Sequence, residues 1–388
     1  MWVGVDATAF GNRHGDGRFA RNAVRRLVEL DHQTRYVLFI DRGEAARADL
    51  PDRAELWPLA LGRRTTASTS RPARDVLRLI AATARRRYDA LLFPSVVSWF
   101  PTLRTPSVVG VHDANVAKFG RTLLPTRRAR ALWRVKQAAA LRRADRLFTV
   151  SESARTELRE HLRLDPERVD LVPQAPDPAF APRAQAAARR ATAHLGPMTA
   201  GDFILYAGGI NPHKGVETLV DACAQLTAAR PCPPLVVVGP LEDDEAYSSA
   251  RAVRARIAHH RLGEGVLLPG FVDDETLASL YSTATVVVAT SRGEGFGLCP
   301  VEAAACGAPV VLSDIPPHRE TLGDAARYFP PLDSTALART LSDLLGAPAL
   351  CRALGERARR RVSPLSWDRA AIALRRLLAE AAASARRP

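Results

Sequence analysis

The sequence predicts an α/β protein made of two doubly wound domains. Short apolar runs alternate with longer amphipathic stretches along the whole chain, and a segment rich in Pro and Ala, residues 172–202, interrupts this alternation once. Continuous apolar strands separated by helices are typical of parallel sheets that are covered on both faces. A chain of 388 residues is long enough for two domains of this kind.

The first half of the chain contains six predicted buried strands, which read WVGVD, RYVLFI, DALLFP, SVVGVHD, RLFTVS and RVDLVP. Between several of them, amphipathic patterns predict helices over residues 17–30, 71–87 and 126–144. The second half restarts with FILYAGG, PPLVVVGP, GVLLPG, ATVVVAT, APVVLSD and ARYFPP, again with helices between the runs. Each half is therefore predicted to form its own parallel sheet.

These patterns set the expected domain limits. We expect an N-terminal Rossmann-like domain over residues 1–180, a linker over 181–200 and a C-terminal domain over 201–364. A last helix, residues 365–386, is followed by no strand and is expected to pack back on the N-terminal domain. Ligands of such sheets bind in loops that follow the strands.

The most informative loop is SRGEGFGLCPVEAAACGAPVVLSD, residues 291–314, which follows a predicted strand and opens a short helix. Its glycines, Gly295 and Gly297, place backbone amides at the helix start, where an anion such as phosphate binds. Two carboxylates, Glu294 and Glu302, flank this turn. Because carboxylates repel phosphate but accept hydrogen bonds from hydroxyls, the pattern favours a ligand with hydroxyl groups on both sides of a phosphate, such as a sugar nucleotide.

This segment resembles the E-x7-E signature of the retaining glycosyltransferases of family 4, with Glu294 and Glu302 as its two glutamates. The resemblance implies a GT-B fold, two Rossmann-like domains facing across a cleft. It also implies that Glu294 holds hydroxyls of the donor sugar, that Glu302 holds the ribose, and that the turn between them lies against the diphosphate and the sugar.

A second loop, YAGGINPHKGVETLV, opens the C-terminal domain. Lys214 precedes the predicted helix, where an ammonium group neutralises a diphosphate, and it matches the family lysine that contacts the donor phosphates. Many relatives carry an arginine nearby as a second cation, whereas this chain has His213 beside the lysine and Gly209 five residues before it. His213 is expected to supply a hydrogen bond or a pH-dependent charge.

In the N-terminal half, Gly15 and Gly17 follow the first strand and allow close approach of a phosphate or a sugar. Their G-x-G-R pattern resembles the family loop that faces the donor. His112, at the end of another strand, matches a family histidine that reaches the donor sugar or the acceptor. Phe271 and Val272 resemble the loop that packs against the nucleotide base.

The resemblance thus implies Glu294, Lys214 and His112 as catalytic residues. The implied donor-binding residues are Glu302, Gly295, Phe296, Gly297, Leu298, Gly15, Gly17, Gly209, Asn211, His213, Phe271 and Val272. No D-x-D motif is present, so no metal and no cofactor other than the nucleotide sugar are expected.

The predicted function is a retaining, metal-independent glycosyltransferase with a nucleotide-diphosphate-sugar donor, GDP-mannose being the first guess. The acceptor is expected to be a glycan, a lipid-linked molecule or a secondary metabolite. A GT-B nucleotide-sugar epimerase is one alternative. A basic nucleic-acid-binding protein on a degenerate GT-B scaffold is another, disfavoured because the chain carries no recognisable nucleic-acid-binding motif.

The net charge of +14 lies in the N-terminal half, since residues 1–200 hold 35 Lys and Arg against 20 Asp and Glu. Such a concentration favours an anionic partner, which would be a membrane surface, an anionic acceptor or nucleic acid, although solvated arginines would give the same count. Residues 118–146 combine basic side chains with Trp and Leu, which is compatible with peripheral contact with an anionic membrane.

Localisation is expected to be cytoplasmic, with possible attachment at the inner face of the membrane. No run approaches the ~20 apolar residues that span a bilayer, and the N-terminus reads as a strand. The five cysteines lack a C-x-x-C pair and are expected to be small buried residues.

Overall fold

The protein divides into two compact units, one formed by Met1–Gln174 with Ser366–Pro388 and the other by Ala175–Leu365. The computed structural model describes residues 1–12, 15–45, 52–62, 71–102, 105–124, 126–241 and 248–384.

The first unit is built on a seven-stranded parallel sheet with the order β3-β2-β1-β4-β5-β6-β7. Its strands are β1 Trp2–Asp6, β2 Arg35–Asp41, β3 Glu55–Leu59, β4 Ala90–Phe93, β5 Ser107–Gly110, β6 Arg146–Thr149 and β7 Val169–Leu171. Val3 of β1 pairs with Tyr36 on one side and with Ala90 on the other, which fixes the register of the three central strands. The four-residue β4, β5 and β6 are buried along nearly their whole length, as expected for a sheet covered on both faces.

Helices cover this sheet. They are α1 Gly15–Leu30, α2 Arg42–Ala45, α3 Ala73–Ala84, α4 Asn115–Leu123, α5 Arg127–Arg143, α6 Glu152–Leu162 and, from the end of the chain, α15 Trp367–Ser384. Helix α15 packs on α1. The Arg26 guanidinium donates to Asp368 Oδ2 at 3.2 Å, and the Phe19 and Trp367 rings lie 6.0 Å apart between centroids.

The second unit has a six-stranded parallel sheet with the order β10-β9-β8-β11-β12-β13. Its strands are β8 Ile204–Ala207, β9 Leu235–Val238, β10 Val266–Gly270, β11 Val286–Ala289, β12 Val310–Ser313 and β13 Arg327–Phe329. Its helices are α7 Gln185–Thr192, α8 Val216–Ala229, α9 Ala250–His259, α10 Asp274–Thr283, α11 Leu298–Ala305, α12 Pro316–Leu322, α13 Ser334–Leu345 and α14 Pro348–Val362.

The predicted fold class, two doubly wound parallel sheets, is confirmed. The expected linker over 181–200 differs from the structure, because residues 185–192 form α7, which packs on α10 within the second unit. Ala188 and Thr192, four residues apart, bury one face of α7, and its alanine-rich sequence favours a helix. The division of the chain accordingly falls between Gln174 and Ala175 rather than at residue 180.

Each sheet reverses its strand order once, between β1 and β4 in the first unit and between β8 and β11 in the second. Ligands of open parallel sheets bind at the carboxyl ends of the strands beside such a reversal. Both positions are therefore candidate sites. Among the helices of the described residues, none is long and apolar enough to cross a membrane.

Candidate functional site

The turn after β11 is shaped by glycine. Gly297 has a φ of 87° and precedes α11, and a Cβ built on it would lie only 3.1 Å from Cδ2 of His318. Such a left-handed conformation favours glycine. Gly295, Phe296 and Leu298 are buried in this turn. Helix α11 begins at Leu298, so its first-turn amides, which have no acceptor within the helix, lie at the same turn, as expected for an anion site.

Lys214 and Glu294 form the central ion pair of the site. Lys214 Nζ donates to Glu294 Oε1 at 2.6 Å, and Ser291 Oγ donates to the same oxygen at 2.6 Å. Burial raises the pKa of the Glu294 carboxyl, but the charge and hydrogen bond of Lys214 outweigh it and leave the pKa at about 2. Glu294 is therefore ionised at neutral pH, and both of its carboxylate oxygens act only as hydrogen-bond acceptors.

The loops after β8 and β11 are tied together by their backbones. Thr290 Oγ1 donates to the Lys214 carbonyl at 2.7 Å, and the Arg292 amide donates to the His213 carbonyl at 2.7 Å. Gly215, with a φ of 63°, lies so close to this contact that a Cβ would meet the Thr290 carbonyl at 2.7 Å. The position of Lys214 is thus fixed relative to the glycine turn.

The remaining residues of the β8 loop support this arrangement. The Gly209 carbonyl accepts from the Tyr206 hydroxyl at 2.7 Å, and a Cβ on Gly209 would lie 2.6 Å from Asn211 Oδ1. Burial, followed by the charge of Lys214, lowers the pKa of His213 to about 4. His213 is therefore neutral at physiological pH and does not supply the second positive charge that the family pattern has near Lys214.

The other predicted donor-binding residues of this unit lie around the same edge. Glu302 lies on α11 and is buried. Phe271 and Val272 follow Gly270 at the end of β10. The Phe271 side chain is 42% exposed, whereas Val272 is buried. An exposed aromatic ring held by a buried neighbour is suited to stacking on a planar base.

Two residues of this site, His318 and Ser313, were not singled out from the sequence. His318, on α12, is fully buried; its Nδ1 donates to the Ser313 carbonyl at 2.9 Å, while its Nε2 has no hydrogen-bond partner in the described part of the chain. Ser313 Oγ donates to the Ser291 carbonyl at 2.5 Å. The only sequence signal for them was their place in the segment that ends with SD and continues with IPPH.

In the first unit, each ring nitrogen of His112 has a hydrogen-bond partner. Nε2 donates to the Pro94 carbonyl at 2.8 Å, and Nδ1 lies 3.0 Å from Asp16 Oδ1. Because a carbonyl and an ionised carboxylate only accept hydrogen bonds, both nitrogens carry protons. Burial lowers the pKa of His112, but the hydrogen bond and charge of Asp16 outweigh it and raise the pKa.

The two glycines of the first loop differ in their surroundings. A Cβ on Gly17 would meet the Asn12 carbonyl at 2.0 Å, so this glycine serves close packing within its own loop. Among the residues that the structure describes, a Cβ on Gly15 would meet nothing within 4 Å.

The basic stretch over residues 118–146 includes residues 118–123 of α4 and all of α5. Trp133 is 8% exposed and packs into the first unit, whereas Leu132 and Val135 are 51% and 70% exposed. Arg128 and Arg134 are exposed on the same helix. The apolar side chains available to a partner are therefore Leu132 and Val135, not the tryptophan.

Across the described residues, no group of three or more His, Cys, Asp and Glu side chains is arranged to hold a metal ion. Metal independence stays a prediction.

Comparison with known proteins agrees with this architecture. The sequence model of Glycosyltransferase Family 4 matches residues 14–180, and that of Glycosyl transferases group 1 matches residues 193–361. Sucrose-phosphate synthase (tll1590) from Thermosynechococcus elongatus superposes with a TM-score of 0.78 at 22% identity, over 99% of this chain and 100% of that chain. The fold is thus that of the GT-B class.

Relatives found by sequence are more similar to this chain than that structure is. The D-inositol 3-phosphate glycosyltransferase of Salinispora arenicola is 30% identical over 332 residues, which cover 80% of this chain and 72% of the relative. The chain belongs to the family 4 glycosyltransferases. The match to the D-inositol 3-phosphate glycosyltransferase of Jonesia denitrificans, 34% identical over 214 residues, covers 53% of this chain and spans about half of that relative, 50% of its length.

Proposed function

We propose that the protein is a retaining glycosyltransferase that transfers a sugar from a nucleotide-diphosphate donor to an acceptor hydroxyl. The observation that carries the proposal is the Lys214–Glu294 pair, with a Nζ–Oε1 distance of 2.6 Å, beside the left-handed turn at Gly297. It combines a cation, a carboxylate ionised at neutral pH and the first-turn amides of a helix at the strand-order reversal of the second sheet. This is the set of groups that a sugar diphosphate requires.

Each group has a proposed role. Lys214 and the amides at Gly297, Leu298 and Cys299 stabilise the negative charge that develops on the leaving diphosphate, an effect that supplies a large share of many rate enhancements. Glu294 accepts hydrogen bonds from hydroxyls of the donor sugar. Glu302 accepts those of the ribose, and Phe271 stacks on the base.

We propose Arg292 as the second cation for the diphosphate. Its side chain is exposed, its amide is bonded to the His213 carbonyl, and its charge contributes to the lowered pKa of His213. With Lys214 and Arg292 neutralising the phosphates, the transfer needs no metal ion in this proposal. The bond between the anomeric carbon and the phosphate oxygen breaks, and the acceptor oxygen bonds to the anomeric carbon on the same face of the sugar. The departing phosphate oxygen takes the proton of the acceptor hydroxyl.

His112 is proposed to act through Asp16 rather than by direct contact, because both of its nitrogens are engaged. The imidazolium fixes the carboxylate of Asp16, which also accepts from Ser95 Oγ at 3.2 Å. For the donor, GDP-mannose stays the first candidate. For the acceptor, the names of the relatives favour a polyol phosphate, with glycans, lipid-linked molecules and secondary metabolites as further candidates.

We also propose peripheral contact with anionic membranes through the exposed face of α5. Leu132 and Val135 are exposed beside Arg128 and Arg134. Exposed apolar side chains flanked by arginines are typical of helices that lie on anionic lipid.

Proton NMR of donor turnover tests the transferase proposal. The protein is incubated with GDP-mannose, UDP-glucose, UDP-N-acetylglucosamine and ADP-glucose, each with and without D-inositol 3-phosphate, and the anomeric signals are followed at early times. We expect one donor to give a glycoside with the anomeric configuration of the donor, and Lys214→Gln to abolish it while the exposed-surface control Arg251→Gln does not. An inverted product contradicts retention, and a changed donor sugar without any acceptor indicates an epimerase instead.

A further inference from the structure

The strand-order reversal of the first sheet carries a second cluster of charged side chains. Asp6 is the last residue of β1, and β4, its neighbour on the far side of the reversal, leads into Ser95 and Val97. Lys136 comes from α5, and Arg71 lies just before α3. Four separate segments therefore bring polar groups to the position where parallel sheets bind ligands.

A chain of hydrogen bonds runs from Arg71 to Asp6. An Arg71 guanidinium nitrogen donates to Thr8 Oγ1 at 2.6 Å, and Thr8 Oγ1 donates to Asp6 Oδ1 at 2.6 Å. Asp6 is only 2% exposed. Its second oxygen, Oδ2, is buried and has no hydrogen-bond partner among the residues that the structure describes, which is unusual for a buried carboxylate oxygen.

Lys136 is held in the same place. Its ammonium donates to the Val97 carbonyl and lies 5.9 Å from the centroid of the Trp133 ring. Burial, followed by the nearby charge of Arg71, lowers the pKa of Lys136 to about 8, against the opposing charge of Asp6. Lys136 and Arg71 are not fully buried, since both keep part of their surface exposed in the described part of the chain. Two cations are thus held near one carboxylate, an arrangement that an added anion stabilises.

We propose that Lys136 and Arg71 bind an oxyanion of the acceptor, a phosphoryl group or another tetrahedral oxyanion, and that Asp6 accepts a hydrogen bond from a hydroxyl of the same molecule. The inference rests on the proposed function, because it names the acceptor class for the same transfer. The donor phosphates are assigned to Lys214 in the second unit, which leaves this cluster for the other substrate. It identifies the acceptor as a phosphorylated polyol or a comparable anionic alcohol.

Isothermal titration calorimetry with inorganic sulfate tests this inference. Sulfate is a tetrahedral dianion that does not titrate near neutral pH, so any proton taken up on binding comes to the protein. At pH 8.5 a lysine with a pKa near 8 is about three-quarters neutral, and a bound anion raises its pKa and draws in a proton. Titration in two buffers of different ionisation enthalpy measures this uptake.

Wild-type protein is expected to take up more than half a proton per sulfate bound. Lys136→Gln is expected to abolish the uptake and weaken sulfate binding at least tenfold, and Arg71→Gln to weaken binding by a similar factor. Arg143→Gln, which changes an exposed cation seven residues away on the same helix, is the matched control and should behave as wild type. Lys136→Gln is expected to fold, because burial already disfavours the charge that it removes.

Persistence of the proton uptake in Lys136→Gln, or its absence in wild type, overturns the inference. Lys214→Gln separates this result from the proposed function. We expect it to lose nucleoside diphosphate binding but to keep the sulfate-linked uptake. If wild type takes up protons with sulfate yet binds no nucleoside diphosphate, the proposed function fails while the oxyanion site stands.

Discussion

Lys214 Nζ lies 2.6 Å from Glu294 Oε1 across 80 positions of sequence, and the two residues come from loops on either side of the strand-order reversal in the second sheet. The pair is mostly buried and is reinforced by Ser291. A donor diphosphate that binds at this site must share Lys214 with Glu294. Any change to one residue therefore alters the charge seen by the other, and their effects on donor binding are not additive.

Gly297→Ala is predicted to reduce stability and donor affinity more than Gly307→Ala. Both glycines border α11 in left-handed conformations, with φ values of 87° and 82°, but a Cβ on Gly297 approaches His318 to 3.1 Å, whereas one on Gly307 meets nothing within 4 Å. An alanine held in a left-handed conformation costs about 1–2 kcal/mol, and this cost applies to both variants. Urea denaturation and nucleotide-sugar titration measure the difference, and equal loss in the two variants contradicts a role for the His318 contact.

The ion pair of His112 with Asp16 predicts a pH-dependent stability. Because the folded-state pKa of His112 is raised above an unfolded value of about 6.5, its contribution is fully present below pH 6.5 and is lost as the pH rises through the folded pKa. The stability difference between wild type and His112→Gln is therefore expected to be larger at pH 6 than at pH 9.

Chemical denaturation across this range measures that difference. The pKa values of His213 and His318 are lowered and give the opposite slope, but they are common to both proteins and cancel. Asp16→Asn is expected to flatten the same dependence. A difference that is constant or grows with pH contradicts the ion pair.

Phe271→Ala is predicted to weaken nucleotide binding by roughly tenfold, because base–aromatic stacking contributes on the order of 1–3 kcal/mol, while leaving the rest of the fold unchanged. Leu332→Ala removes another exposed apolar side chain of the same unit, 54% exposed against 42% for Phe271, and serves as the control. Titration with a nucleoside diphosphate and with the corresponding ribose diphosphate separates the base from the phosphates. If Phe271→Ala weakens the binding of both ligands by the same factor, the ring does not contact the base.

The double variant Leu132→Gln with Val135→Gln is predicted to lose binding to vesicles that contain phosphatidylglycerol. Both side chains are exposed on α5 among arginines, so removal of the apolar groups leaves only a salt-sensitive electrostatic attraction. Vesicle sedimentation measures the bound fraction, with Leu77→Gln, an exposed leucine of α3, as control. Unchanged sedimentation of the double variant shows that α5 does not lie on lipid.

The sequence pattern predicted the two sheets, because continuous apolar strands and amphipathic helices leave a local signal. It missed β3, whose ELWPL sequence contains a proline and whose side chains are largely exposed at the sheet edge. It assigned the residues of α7 to a linker, because a helix that buries only Ala188 and Thr192 lacks strong apolar periodicity.

For the site, the glycine turn and Lys214 were evident because each lies in a compact motif. The hydrogen bonds of the two His112 nitrogens could not be predicted, since Asp16 lies 96 positions away in sequence. The same holds for Lys136, which donates to the Val97 carbonyl from 39 positions away. Contacts between distant segments depend on the folded register of the sheet, and no local pattern records them.

The central claim, that Lys214 holds the diphosphate of a nucleotide sugar, is tested most directly by calorimetric titration with GDP, UDP, ADP and dTDP. One nucleoside diphosphate is expected to bind wild type and Arg251→Gln with the same affinity and to bind Lys214→Gln at least tenfold more weakly. Glu302→Gln is also expected to bind it more weakly, because it loses the proposed hydrogen bond to the ribose. Equal binding of that nucleotide to wild type and to a folded Lys214→Gln variant, or no binding of any of the four, would contradict the account.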